Sequence, residues 1–158
     1  MRLPPRLDGL LRLAPEVRAA ADIGSGHGLL ARALATRGVR VVATEHGSRA
    51  MAVLSADLSG AAGTVDVREG DGLAALVPGE VELAVIAGMG GRTITAILDR
   101  AGWLPRWLLL QPVQDSAVVE VWVEATGWPV RQAPLSQHGR WYQAWLVEVP
   151  VASRRLAA

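Results

Sequence analysis

The sequence predicts an α/β fold with a mostly parallel sheet, and three observations carry that prediction. Apolar runs such as Val81 to Ala87 and Trp107 to Leu110 do not alternate with polar residues, as befits strands buried on both faces. Segments with helical periodicity, such as Leu29 to Leu34 and Thr93 to Leu98, fall between those runs. Glycine-rich turns join one kind of segment to the other, the pattern of repeated βα units. The length of 158 residues suits one domain with a sizeable core.

Taken in order, Leu7, Leu10, Leu11 and Ala14 recur at helical spacing, so Leu3 to Ala14 is expected as a short helix that Pro15 stops. Val17 to Ile23 is the first strand. A helix follows from about His27 to Arg37, capped by Gly38. Val39 to Thr44 is the second strand and runs into Glu45, before a helix from Arg49 to Leu58 and a turn from Gly60 to Gly63. Thr64 to Arg68 is the third strand, and Pro78-Gly79 turns the chain into the fourth, Val81 to Ala87. A glycine-rich loop, Gly88 to Gly91, enters the next helix, which Gly102 is expected to cap. Trp107 to Leu110 is the fifth strand, followed by a helix from Asp115 to Ala125 that Gly127 closes. Val130 to Leu135 and Trp141 to Val149 read as an antiparallel hairpin joined by Ser136 to Arg140. Residues 1–150 thus form one domain, and Val151 to Ala158 is expected to fray as a tail.

The densest signal is Ala20-Ala21-Asp22-Ile23-Gly24-Ser25-Gly26-His27-Gly28. A strand ends on one acid, glycines follow at alternate positions, and a helix begins. Glycine turns the backbone tightly and lets a ligand approach, and the helix N-terminus offers free N–H groups. The dinucleotide fingerprint Gly-x-Gly-x-x-Gly is not met, because Leu29 stands where its third glycine belongs. A glycine turn that only packs a helix has the same local pattern. Glu45 lies about 20 residues further on, where nucleotide-binding α/β folds place a carboxylate for ribose hydroxyls. Asp71, bracketed by Gly70 and Gly72 after the third strand, offers a positioned acceptor or a plain Asp-Gly turn.

Composition narrows the function classes. Cysteine is absent, which excludes disulfides and thiolate metal sites, and His27, His46 and His138 lack metal-ligand spacing. No apolar run approaches the roughly 20 residues of a membrane helix, and no signal segment opens the chain, so a cytoplasmic protein without metal is expected. The net charge is +1, and all 16 basic residues are arginine. Arg2, Arg6, Arg12 and Arg18 bias the segment before the first strand, as an RNA contact or as a solvated helix face. Six tryptophans fall in the second half; packing roles are expected for most, and stacking on a nucleobase for one or two.

Asp-x-Gly-x-Gly-x-Gly resembles the first motif of class I S-adenosylmethionine (SAM) methyltransferases. Within that superfamily the chain is similar to the bacterial tRNA (adenine(22)-N(1))-methyltransferases, the TrmK family. Arg6-Leu7, Ala21 to Ser25 with His27, Gly70 to Leu73, Ile86 to Gly91, Leu110 to Pro112 and Tyr142 carry the resemblance. They span about residues 3–149. Gly26 and Val113 depart from the family, which usually has an acid and an asparagine there. The family also carries a C-terminal helical region that helps to grip tRNA, and no counterpart is expected here.

The resemblance implies a Rossmann-like sheet of seven strands in the order 3-2-1-4-5-7-6 with helices on both faces. It implies SAM as cofactor and tRNA as partner. It places Asp22, Gly24, Ser25, Gly26 and Gly28 around the methionine and ribose part, Glu45 on the ribose, and Asp71 and Gly72 beside the adenine; His27 is expected either against cofactor or substrate or as a satisfied histidine at the helix N-terminus. Ala87, Gly88 and Met89 would run along the cofactor toward the acceptor, which Gly90, Gly91, Gln111, Arg6 and Tyr142 would border. No catalytic base is implied.

Overall fold

A computed structural model describes residues 2–58 and 65–155; the turn expected over 60–63 lies outside them. Helix α1 is Pro5–Leu13, β1 Ala19–Ile23, α2 Leu29–Thr36, β2 Arg40–Glu45 and α3 Ser48–Leu58. Strand β3 is Val65–Glu69, β4 Leu83–Gly90, α4 Gly91–Asp99, β5 Trp107–Gln114, α5 Ser116–Thr126, β6 Val130–Gln137 and β7 Arg140–Glu148. The seven strands form one sheet in the order β3-β2-β1-β4-β5-β7-β6. The β1–β2, β1–β4, β2–β3 and β4–β5 pairs are parallel, and β7 runs antiparallel to both neighbours. The implied strand order and the helices on both faces are therefore those of the molecule.

The side-chain period of a strand divides the core in two. Ala21, Ile23, Ala84, Ile86, Leu108, Leu110 and Trp145 face α4 and α5, where Ile94, Ile97, Leu98, Val119 and Val123 meet them. Ala20, Val41, Ala43, Leu83, Val85 and Leu109 face the other way, against Leu10 and Leu11 of α1, Leu30 and Leu34 of α2, and Leu54 and Leu58 of α3. Both faces are covered, which explains why the strands read as unbroken apolar runs. Each fully buried leucine of this kind contributes roughly 1.5–3 kcal/mol of transfer free energy.

Several boundaries differ from the expectation for definite reasons. Gly88 to Gly90 are not a free loop but the end of β4, paired to β5 across register shifts on either side of Met89. A bulge lets glycine-rich chain keep its hydrogen bonds while bending, so the ladder continues where composition indicates a turn. Strand β5 likewise runs on to Gln114. The five-residue connection expected between the last two strands is a two-residue turn, with Gln137 opposite Arg140 and positive φ at His138 (51°) and Gly139 (73°). Helix α4 ends in right-handed geometry at Arg100 rather than on Gly102. The tail is tied down through residue 155: Val151–Ser153 is a 3-10 turn, the Leu104 N–H donates to the Arg154 carbonyl at 2.7 Å, and Arg155 bridges to Trp103.

Gly91 opens α4 directly beneath the start of α5, and a Cβ there would collide with the Asp115 backbone carbonyl. Backbone cannot swing aside as a side chain can. Gly91→Ala should cost about 3 kcal/mol of folding free energy, at the upper end of overpacking effects, and urea denaturation would read it as a lower midpoint.

Candidate functional site

The crest formed by the carboxyl ends of the parallel strands is built around the turn after β1. Gly24, Gly26 and Gly28 all have left-handed backbone, with φ of 67°, 61° and 74°. That conformation is costly for other L-residues, which accounts for the three glycines. A Cβ on Gly24 would strike the methyl of Met89, and one on Gly28 would strike Leu58, whereas one on Gly26 would meet nothing within 4 Å. The loop is thus packed underneath at its two ends and open above at its middle. The Ser25 N–H donates to the Thr44 carbonyl at 2.9 Å, and Gly28 N–H to the Ser25 carbonyl at 3.0 Å.

Asp22 lies next to the end of β1, beneath this loop, with only 5% of its surface exposed. Burial pushes its carboxyl up to about 6 from 3.8; the Ser25 hydroxyl and the Ala31 backbone N–H in the first turn of α2 pull it back, and Glu45 adds repulsion. The Ser25 Oγ donates to Asp22 Oδ2 at 2.7 Å. Among the described residues no arginine or histidine pairs with it. Asp22 is therefore a buried acid held by hydrogen bonds and lacking a cation.

Two clefts flank the loop, and both are lined by Gly26 and His27. One, of about 320 Å³, includes Asp22, Gly24, Ser25, Ala87 and Gly88 with Arg6 and Gln137. The other, of about 590 Å³, includes Glu45 and runs over His46 to Ala50 and Val53. Each falls within the roughly 300–1,000 Å³ of small-molecule sites. Glu45 Oε1 accepts the Gly26 N–H at 2.6 Å, so this acid braces the loop. His27 Nδ1 lies 2.6 Å from Asp57 Oδ2, which ties its exposed ring to α3. Two further clefts, around Arg106 and Trp103 and around Arg12 and Trp107, open elsewhere and contain no buried carboxylate.

The far wall of the smaller cleft comes from both ends of the chain. Arg6 on α1 donates through Nη1 to Gln111 Oε1, and the Gln111 Nε2 donates to the Pro112 carbonyl at 2.5 Å. Gln111 is fully buried, so both halves of its amide are satisfied. A Cβ on Gly88 would lie 3.8 Å from the Arg6 guanidinium. Burial lowers the Arg6 pKa, while Tyr142 nearby raises it. Gln137 Oε1 accepts the Arg6 N–H at 3.4 Å. A cation and an amide thus stand together on the wall of the smaller cleft, which Glu45 does not line.

A methyltransferase domain profile matches residues 3–144. The chain belongs to the methyltransferase domain family. It is 29% identical over 157 residues to the tRNA (adenine(22)-N(1))-methyltransferase of Bacillus subtilis (strain 168), a match that covers 94% of this chain and 66% of that protein. The crystal structure of the B. subtilis M1A22 tRNA methyltransferase TrmK superposes with a TM-score of 0.83 at 27% identity, covering 94% of this chain and 67% of that one. Streptococcus pneumoniae Sp1610, solved in complex with S-adenosyl-L-methionine, gives a TM-score of 0.84 at 26% identity, over 99% of this chain and 77% of that one. The chain therefore spans about two thirds of the length of the B. subtilis relative. The TrmK resemblance drawn from the motifs is borne out in sequence and in structure.

Within this methyltransferase domain the expected residues do not all converge. Asp22, Gly24, Ser25, Gly26, His27, Ala87, Gly88 and Arg6 line one cleft, and Glu45 shares the other with Gly26 and His27. Gln111 meets the site through Arg6. Gly28 and Met89 support the loop from below, and Gly90 packs against Gln114. Asp71 stands apart: its carboxylate pairs with Arg100 at 2.6 Å and lines a separate cavity of about 180 Å³ over the 3-10 turn Gly72–Ala75 and α4. Gly70 is closer to the crest, its N–H donating to the Glu45 carbonyl at 2.9 Å. Gly91 is a packing position. Sequence reasoning missed Gln137 and Asp57. Gln137 reaches the site only because β7 inserts between β5 and β6, and no local signal marks that. Asp57 could have been found from its helical spacing to Leu54 and Leu58, the buried side of α3. Among the described residues no helix is long and apolar enough to cross a membrane, and no cluster of three or more histidines or acids is placed to hold a metal.

Proposed function

We propose that this domain uses S-adenosylmethionine to methylate N1 of an adenine in tRNA, in the cytoplasm. The buried, cation-free Asp22 behind an open glycine loop carries the reading. A carboxylate held in low dielectric without a counter-ion favours a positively charged ligand. When bound, the cofactor supplies an activated methyl group on a sulfonium and an ammonium group at its amino-acid end.

On this reading Asp22, Gly24, Ser25 and Gly26 hold the methionine part, and Glu45 holds the ribose hydroxyls. Gly70 and the backbone around Asp71 and Gly72 border the adenine. Arg6, positioned by the buried Gln111 amide, borders the acceptor base with Gly88 and Tyr142 and holds its ring in line with the methyl. N1 of adenine is neutral and keeps its lone pair at neutral pH, so positioning accounts for the rate and no base is required. A paired adenine hides N1, so the base must be unpaired to react. The similarity to tRNA (adenine(22)-N(1))-methyltransferases supports tRNA as the acceptor. One observation favours a second reading, in which another RNA or a different acceptor is methylated. Val113, where the family usually has asparagine, is 43% exposed at the end of β5 and offers no side-chain hydrogen bond.

Incubation with unmodified tRNA and labelled SAM, followed by nucleoside mass spectrometry, tests the proposal. N1-methyladenosine at a single position is expected; label in another nucleoside or in none would refute it. Glu45→Ala should weaken SAM binding by about tenfold to a hundredfold in calorimetry, the effect of losing a charge-assisted pair of hydrogen bonds, while Glu45→Gln should lose less.

A further inference from the structure

The hairpin β6–β7 bears the one aromatic ring that is widely exposed among the described residues. Trp141 is 72% exposed. The other five tryptophans have partners: Trp103 and Trp145 are buried in the core, Trp122 and Trp128 meet edge to face at 6.0 Å, and Trp107 carries the Arg106 guanidinium at 5.1 Å. The Trp141 indole offers a large, flat face to a partner.

Its place in the sheet says what covers it. Strand β7 runs against β5, with Leu110 opposite Trp145, so the start of β7 stands at the carboxyl ends of the parallel strands. Trp141 therefore stands at the same crest as the glycine loop, with its ring on the sheet face opposite Gln137 and Tyr142. Its neighbour Arg140 faces Gln137, which lines the cleft beside Arg6. Tyr142, the next residue, faces Leu135 and the α1 side. The hairpin's charge points the same way: from residue 129 to 147 there is no aspartate or glutamate, while Arg131 and Arg140 are both exposed. Gln132, Gln137 and Gln143 supply neutral donors and acceptors. A lone indole among amides and arginines fits a nucleobase next to phosphates better than it fits an apolar protein surface.

We propose that this hairpin is an RNA contact, in which a strand crossing the hairpin's end stacks an unpaired base on Trp141 on one face and meets Arg140 through its phosphates on the other. The inference rests on the RNA reading above. It is tested by the affinity of labelled unmodified tRNA, without SAM, measured by fluorescence anisotropy. Trp141→Ala should bind about tenfold more weakly, the loss of one stacking contact, and Trp141→Phe should stay close to wild type. Arg140→Gln should lower the slope of affinity against salt by about one counter-ion. SAM affinity should be the same in all three, which shows that each is folded. Equal and measurable tRNA binding by wild type and Trp141→Ala would overturn the inference alone. A wild-type chain that binds tRNA no better than duplex DNA would overturn it together with the RNA reading.

Discussion

Asp22→Asn should bind SAM about a hundredfold more weakly than wild type, yet resist urea better at about pH 8. Both effects come from one buried charge. Its carboxyl rises from 3.8 to about 6, chiefly through burial, so the folded chain holds a proton there more tightly than the unfolded chain does. Stability from this group is complete below about pH 4, is lost as pH rises toward about 6, and stays lost above that. At neutral pH the ionised acid therefore costs on the order of 3 kcal/mol, which the amide avoids apart from one hydrogen bond it cannot accept. The wild-type and variant stabilities should converge near pH 4 and separate between about pH 4 and 6. The cofactor's ammonium group would supply the missing partner, which the amide attracts less. Wild-type affinity should also fall as pH drops through about 6, whereas that of the variant should be flat. Parallel calorimetry and urea titrations across this range measure both.

Arg6→Ala should reduce methyl transfer about a hundredfold while leaving SAM affinity within about threefold, because a displaced acceptor loses alignment rather than cofactor contacts. Arg6 reaches from α1 to the buried Gln111 amide and stands beside Gly88. Without it Gln111 Oε1 is left unpaired in the core, at about 1–3 kcal/mol, and the amide is free to turn. Arg6→Lys should recover little, since a single ammonium cannot reproduce the planar guanidinium that donates to Gln111 while lying beside Gly88. Single-turnover assays with saturating SAM separate the two terms. A variant with normal turnover would show that the acceptor lies elsewhere along the crest.

How far the sequence reveals this site depends on distance along the chain. Asp22, Gly24, Gly26 and Gly28 are legible because a strand, a left-handed turn and a helix are local features. Glu45 is legible because a βαβ unit fixes its spacing from the loop. The extent of β4 is not legible. Gly88 to Gly90 have turn composition, and only the neighbouring β5 ladder keeps them in a strand. Asp71 has a turn's sequence, but Arg100 on α4 determines where its carboxylate goes. The link from Arg6 to Gln111 joins residues 105 apart, which no periodicity records.

The most direct test is a crystal structure of the chain with SAM. The adenosine should lie over Glu45 with the amino-acid end above Asp22, Gly24 and Ser25, and the methyl should face the space between Gly88 and Arg6. A ligand bound in another cleft, or side chains filling the space above Gly26, would contradict the assignment of this crest as the cofactor site.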